Sequence, residues 1–166
     1  MGAGILPVAF HQGKVYLLIS RESLDMNRRC KGQWSDFGGA REGNETSRRT
    51  AIREGWEESA GALGSQSQIA DLIRHKLLKK VALKHYTTYV VEIPYAPGLP
   101  GVFSAQYRMI RRIDPQAIRA NNGLYEKDKL KWCDLASARR QRRSFRRFYR
   151  TILDKVIAHF EEQQQG

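Results

Sequence analysis

Between residues 145 and 160, Phe145, Phe148, Tyr149, Ile152, Leu153, Val156, Ile157 and Phe160 recur at the three- and four-residue spacing of one helix face. A stripe that wide has to be buried, so a long C-terminal helix is predicted to lie against a second layer. The remainder of the chain supplies strands for that layer. Residues 5–10 and 14–20 are rich in apolar and β-branched side chains and are separated by His11-Gln12-Gly13, the pattern of a hairpin. Residues 21–33 are polar and irregular, which reads as a loop, and 34–37 form a short strand running into Gly38-Gly39. Residues 47–60 carry a helical pattern with Thr46 as N-cap and Gly61 and Gly64 as stops.

Downstream, residues 68–93 read as strands, 77–83 and 86–93 in particular, the second supported by the alternation in HYTTYVVEI. Pro94, Pro97 and Pro100 mark a loop, and 106–113 is open between strand and coil. Residues 115–120 suit a short helix capped by Asp114, 130–133 a last short strand, and the closing EEQQQG is expected to fray. Strands and helices do not alternate in regular βαβ units, so the layers are mixed α/β and not a doubly wound sheet.

The bulk numbers set outer limits. With 166 residues, 41% hydrophobic and 28% charged, the chain is expected to form a single soluble domain spanning 1–166. It has no run of about 18 apolar residues, and its first residues lack the pattern of a secretory signal. Cys30 and Cys133 are too few for a disulfide scaffold and have no metal-ligand spacing, so both are expected as reduced thiols in a cytoplasmic setting. The net charge of +12 favours anionic partners.

The chemistry-bearing stretch is GGAREGNETSRRTAIREGWEESAG, residues 38–61. On a helix starting near Ser47, Glu54 lies three residues before Glu57 and four before Glu58, so three carboxylates share one face. Like charges so placed repel, and a hard divalent cation with oxygen ligands would compensate them. Arg53, four residues before Glu57, is placed to orient that carboxylate. The alternative is a solvated acidic face, but the preceding Gly-Gly pair and the otherwise basic chain favour a site.

Gly39, Glu45, Arg53, Glu54, Glu57 and Glu58 together resemble the Nudix box, in which Gly, five residues, Glu and seven residues lead to Arg-Glu-apolar-any-Glu-Glu-any-Gly. Two positions depart from it: Gly55 stands at the apolar position, and Ala60 takes the place of the closing glycine, which follows one residue late as Gly61. Gly55, with Ala51 one turn earlier, makes a small-residue face that would let the helix approach a sheet closely. The resemblance implies an α/β/α sandwich of α+β type with a mixed sheet, a box helix and a long C-terminal helix. It further implies Mg²⁺-dependent hydrolysis of a diphosphate linkage in a nucleoside diphosphate derivative, with Mn²⁺ as a substitute metal. Under it the Gly38 carbonyl, Glu57 and Glu58 would hold the metal, and Glu54 would bind metal or polarise water. A further acid late in the chain is expected from Glu126, six residues before Trp132, with Asp128 and Glu92 as rivals.

Substrate contacts are open at this point. Arg21 is placed to meet a phosphate, and Arg53 belongs with it as a cation of the site. Trp34, Phe37, Tyr86 and Tyr89 could stack on a base, although core packing suits them better. Arg139, Arg140, Arg142, Arg143, Arg146, Arg147 and Arg150 crowd the start of the last helix without an acid in the run, which suggests an RNA track. Three readings follow: a hydrolase of free nucleoside diphosphate derivatives, an RNA 5′-cap hydrolase, and a non-catalytic basic RNA-binding module on the same fold.

Overall fold

The computed structural model describes residues 1–120 and 122–166. Strands β1 (Gly2–His11) and β2 (Lys14–Glu22) form the expected hairpin, closed by Gln12 and Gly13 with positive φ. Strand β3 is Trp34–Ser35 and β4 is Phe37–Ala40; helix α1 is Ser47–Glu58 and α2 is Gln66–His75. Then come β5 (Leu77–Ala82), β6 (Tyr86–Glu92), α3 (Leu99–Ile113), α4 (Pro115–Arg119), β7 (Lys127–Asp134), α5 (Leu135–Arg140), a 3₁₀ turn (Arg142–Ser144) and α6 (Tyr149–Gln165).

The sheet is mixed, with strand order β3-β2-β1-β6-β5, and β4 pairs with β1 while β7 pairs with β2. β1 runs parallel to β6 and antiparallel to both β2 and β4. Those last two share one edge of β1: β4 takes residues 2–5 and β2 takes residues 8–11. The far half of β2 therefore leaves β1 and pairs with β3 in its place, while β7 runs along the other edge of β2 from Tyr16 to Glu22. The sheet is split at that point, and the split opens beside α1.

Alternation along the strands sorts the core into two clusters. Leu6, Val8, Leu17, Ile19 and Val90 meet Tyr149, Ile152, Leu153, Val156, Ile157 and Phe160 on one face. Ile5, Leu18, Tyr89 and Val91 meet Ala51, Ile69, Ile73 and Phe103 on the other. This is the expected α/β/α layering, with the C-terminal stripe buried apart from Phe148, which is 40% exposed. No helix among the described residues is long and apolar enough to cross a membrane, and Cys30 and Cys133 are free.

Several expectations are corrected. Residues 68–75 are helical: Ser65 and Gln68 make a reciprocal capping box, and Ile69 and Ile73 are the buried side of one helix face. The third proline of the supposed loop, Pro100, sits in the first turn of α3, where its missing N–H costs nothing. The undecided segment 106–113 is the rest of that helix, with Phe103 and Tyr107 buried one turn apart. The final helix begins at Tyr149, so Phe145 packs from the approach to it, and helical geometry extends to Gln165.

Candidate active site

Helix α1 presents its acids to the split in the sheet. Thr46 caps it, its hydroxyl accepting from the Arg49 amide at 3.2 Å. At the other end the Gly61 amide reaches the Trp56 carbonyl and the Ala60 amide the Glu57 carbonyl, each at 3.0 Å, with Ala60 at φ 49°. That paired geometry is the Schellman stop, and Ala60 takes its left-handed position with Gly61 behind it. Close approach is achieved through Gly55: a Cβ there would lie 2.7 Å from Ile5 Cγ2. Ala51 is fully buried beside it.

The resulting cleft has a volume of about 450 Å³ and is lined by Glu22, Arg28, Gly38, Gly39, Ala40, Glu42, Arg53, Glu54, Glu57, Glu58, Asn122, Gly123, Glu126 and Arg146. Glu54, Glu57, Glu58 and Glu126 are thus brought together, as is Gly38. The rival acids are elsewhere: Asp128 is bound by Arg21 on a different part of the surface, and Glu92 ends β6 away from the cleft lining.

Arg53 is the hub. Its Nε and Nη2 donate to Glu45 at 2.9 and 3.0 Å, its Nη1 to Glu54 and Glu57 at 3.0 and 3.1 Å, and Nη2 also to the Ala40 carbonyl at 2.9 Å. Those bonds use all five donors of the guanidinium. Arg53 lines the cleft and orients its carboxylates, with every donor engaged by the chain in this structure. Its hydrogen bonds, with smaller help from the Glu42 amide and Thr50, hold Glu45 down at about 2. Burial dominates at Glu54 and pushes it up to about 7 against the pull of Arg53. Burial also raises Glu57, again opposed by Arg53.

Glu58 is the innermost acid, 3% exposed. Its Oε2 accepts from the Gly38 amide at 2.7 Å and lies 3.6 Å from the Lys127 ammonium. Burial raises this carboxyl well above its usual range, and Lys127 draws it back in part. Gly39 makes room for Glu54, because a Cβ at that position would meet the Glu54 carboxylate at 2.5 Å. Below the glycines, the buried Asp36 accepts from the hydroxyls of Tyr86 and Thr88, both at 2.8 Å, and burial lifts it to about 6.

Three substrate contacts expected from the sequence are relocated. Arg21 points away from the cleft, because adjacent strand residues face opposite sides and Glu22 takes the inward one; its guanidinium is held by Asp128 at 2.8 and 3.1 Å. Phe37 is fully buried in the core, so it offers no face to a base. Trp34 is 8% exposed and lies under the Lys131 ammonium at 4.4 Å. Tyr86 and Tyr89 are likewise buried, with hydroxyls bonded to Asp36 and Ser47.

The arginine run is also reinterpreted. Arg139 and Arg140 close α5, Arg142 and Arg143 form the 3₁₀ turn, Arg146 and Arg147 lie in the link, and Arg150 opens α6. Balancing acids come from distant parts of the chain: Arg139 pairs with Glu161 at 2.6 Å, Arg142 with Asp154 at 2.7 Å, and Arg146 with Glu22 at 3.1 Å. Arg150 donates to the carbonyls of Phe145 and Arg143. The repulsion that suggested a polyanion is answered inside the fold at Arg139, Arg142 and Arg146.

Glu22, Arg28 and Lys127 were not legible as site residues. Glu22 ends a strand and Lys127 stands in the alternating run YEKDKLKW, and only the cross-strand register of β2 and β7 sets them opposite each other. Arg28 comes from the irregular loop and binds Glu126 at 2.9 Å.

The donor set suits a hard cation. The cleft gathers six carboxylates, Glu22, Glu42, Glu54, Glu57, Glu58 and Glu126, against the cations Arg28, Arg53, Lys127 and Arg146, leaving negative charge over. Among the described residues no group of three or more His, Cys, Asp or Glu is arranged as a ready-made cage. Mg²⁺ is commonly held by one or two carboxylates, with substrate phosphate and water completing the shell, so carboxylates of this kind fit it.

No family model matches the chain, and no curated protein matches it. Solved structures do. The fold is similar to that of the Nudix hydrolase RenU from M. smegmatis, at 16% identity over 93% of this chain and 82% of that one, with a TM-score of 0.52. A C. elegans Ap4A hydrolase in a binary complex matches over 97% of both chains at 15% identity, TM-score 0.55. The Nudix domain of Shewanella oneidensis NrtR, complexed with ADP-ribose, matches over 98% of this chain and 86% of that one at 12% identity, TM-score 0.50. The mixed-sheet α+β fold is the one these Nudix structures share.

Proposed function

We propose that the protein is a Mg²⁺-dependent hydrolase that cuts the diphosphate linkage of a nucleoside diphosphate derivative in the cleft beside α1. The single observation that carries this reading is the convergence of Glu54, Glu57, Glu58 and Glu126 on one cleft of about 450 Å³. The solved neighbours that share the fold include an Ap4A hydrolase and a domain bound to ADP-ribose, both diphosphate-containing nucleotide chemistry.

A diphosphate resists attack because every approach meets negative oxygen. A divalent ion, when bound, neutralises non-bridging oxygens and makes water a better nucleophile. Glu57 and Glu58, with the Gly38 carbonyl, are the groups that would hold it. Glu54, lifted by burial to about 7, is poised to take a proton near neutral pH. Arg53 fixes both Glu54 and Glu57, so the acids keep their separation as charge changes. Arg28 and Arg146 line the cleft as the cations nearest an incoming polyphosphate, and Glu126 serves as the late acid.

Small nucleotides are favoured over RNA because, outside the cleft, Arg139 and Arg142 pair with the chain's own acids and Arg150 donates to its carbonyls. The test is a Mg²⁺-dependent screen of ADP-ribose, dinucleoside polyphosphates, NTPs, nucleotide sugars and capped RNA, scored by product identity. Release of a nucleoside monophosphate from one of the small substrates supports the reading. Turnover of capped RNA alone would move the assignment to cap hydrolysis, and binding of RNA without turnover of anything would make the protein a binding module.

A further inference from the structure

At the base of the cleft sits a lysine with no exposure to solvent. Lys127 Nζ donates to Glu22 Oε1 at 2.6 Å and to Ser35 Oγ at 3.1 Å, and stands 3.6 Å from Glu58 Oε2. Glu22 and Lys127 are register partners across β2 and β7, placed where a shift between Arg21 and Glu22 breaks the regular pairing. An ammonium this deep is tolerated only because carboxylates and a hydroxyl surround it.

The consequence is a division of the acid cluster. Glu22 and Glu58, the two most buried acids of the cleft, face Lys127 and, at Glu22, Arg146 at 3.1 Å. Two negative charges are met by two positive ones, and this inner half is closed. The outer half holds Glu42, Glu54, Glu57 and Glu126 against Arg53 and Arg28, and Arg53 is shared with Glu45. Negative charge is left over only there. Glu58 belongs to both halves: its Oε2 is taken by Lys127 and the Gly38 amide, which leaves Oε1 as the oxygen it offers outward.

We propose that Lys127 is a built-in cation, a positioning residue that occupies the inner half of the acid cluster and confines divalent ions to the outer half. A lysine suits the task because its ammonium is a compact point charge, whereas a guanidinium would demand a planar fork of acceptors. The chain thereby arrives with its deepest carboxylate already aimed, independent of metal concentration. This inference rests on the metal-dependent reading above.

Mn²⁺ serves as the probe, counted by electron paramagnetic resonance of the free ion and by its effect on thermal unfolding. Replacing Lys127→Met keeps the stem's bulk and removes the charge. The variant is expected to bind an additional Mn²⁺ per chain. Its Mn²⁺-induced rise in Tm should exceed that of the wild type, since every further ion bound only by the folded form adds stability. The double variant Glu22→Gln/Lys127→Met, which removes the inner pair together, should return to the wild-type count. If Lys127→Met is unfolded without metal, Mn²⁺ must restore its melting transition; a variant unfolded in both conditions overturns the proposal. So does a folded Lys127→Met with wild-type stoichiometry and an unchanged Tm response. Wild-type protein that binds no Mn²⁺ defeats the hydrolase reading as well, which separates the two failures.

Discussion

Gly55 departs from the apolar residue of the box pattern, and Gly55→Ala tests why. In an ordinary helix interior the substitution would stabilise by roughly 1 kcal/mol. Here the new methyl would lie 2.7 Å from Ile5 Cγ2, when comfortable carbon contacts are about 3.5–4.0 Å. Ile5 cannot yield, because it is fully buried, pairs with Phe37 on one side and Tyr89 on the other, and carries that methyl on its branched, rotationally stiff Cβ. Overpacking of this kind costs roughly 1–3 kcal/mol. The net expectation is a loss of about 1 kcal/mol, or about 2–4 °C in Tm for a domain of this size. Urea unfolding followed by circular dichroism measures it. Ile5→Ala opens a cavity on its own, and in the Gly55→Ala background it should cost less by about 1 kcal/mol, because the new methyl fills part of that space. A Gly55→Ala protein as stable as the wild type, with no coupling to Ile5, would refute the close-approach argument.

Other perturbations follow from the same geometry. Ala60→Gly should stabilise by about 1 kcal/mol: it removes a left-handed penalty of roughly 1–2 kcal/mol and adds back roughly 0.4–1 kcal/mol of unfolded-chain freedom, again read by urea midpoint. Arg53→Lys should disorder the acids, since one ammonium cannot replace five directed donors; the loss should fall on kcat more than on KM. Glu54, at about 7 in the folded protein and ordinary when unfolded, holds a proton in the native state between about pH 4.5 and 7. Stability in chelator should therefore fall as pH rises through that window, and Mn²⁺ affinity should weaken as pH drops below about 7. Glu54→Gln should reduce both dependences, leaving the part owed to the other raised carboxyls, Glu57, Glu58 and Asp36.

Much of the fold was readable because burial and periodicity coincide. The stripe on α6 and the alternation on β6 each had one consistent solution. Helices α2 and α3 were harder for local reasons: α2 is short with only Ile69 and Ile73 buried, and prolines stand at the entrance of α3. At the site, acids spaced three and four apart declared themselves, since helix geometry is local. Glu22 and Lys127 did not, because their meeting depends on a strand register more than a hundred residues apart in sequence. The acids that meet Arg139, Arg142 and Arg146 were hidden for the same reason: Glu161, Asp154 and Glu22 lie outside the run.

The central claim is that the α1 carboxylates drive diphosphate cleavage. Its most direct test is kcat for Glu57→Gln against wild type, on the best small substrate and at saturating Mg²⁺, with unfolding curves run on both proteins. A fall on the order of a hundredfold or more, with the fold intact, is the predicted result. Turnover within a few-fold of wild type would contradict it.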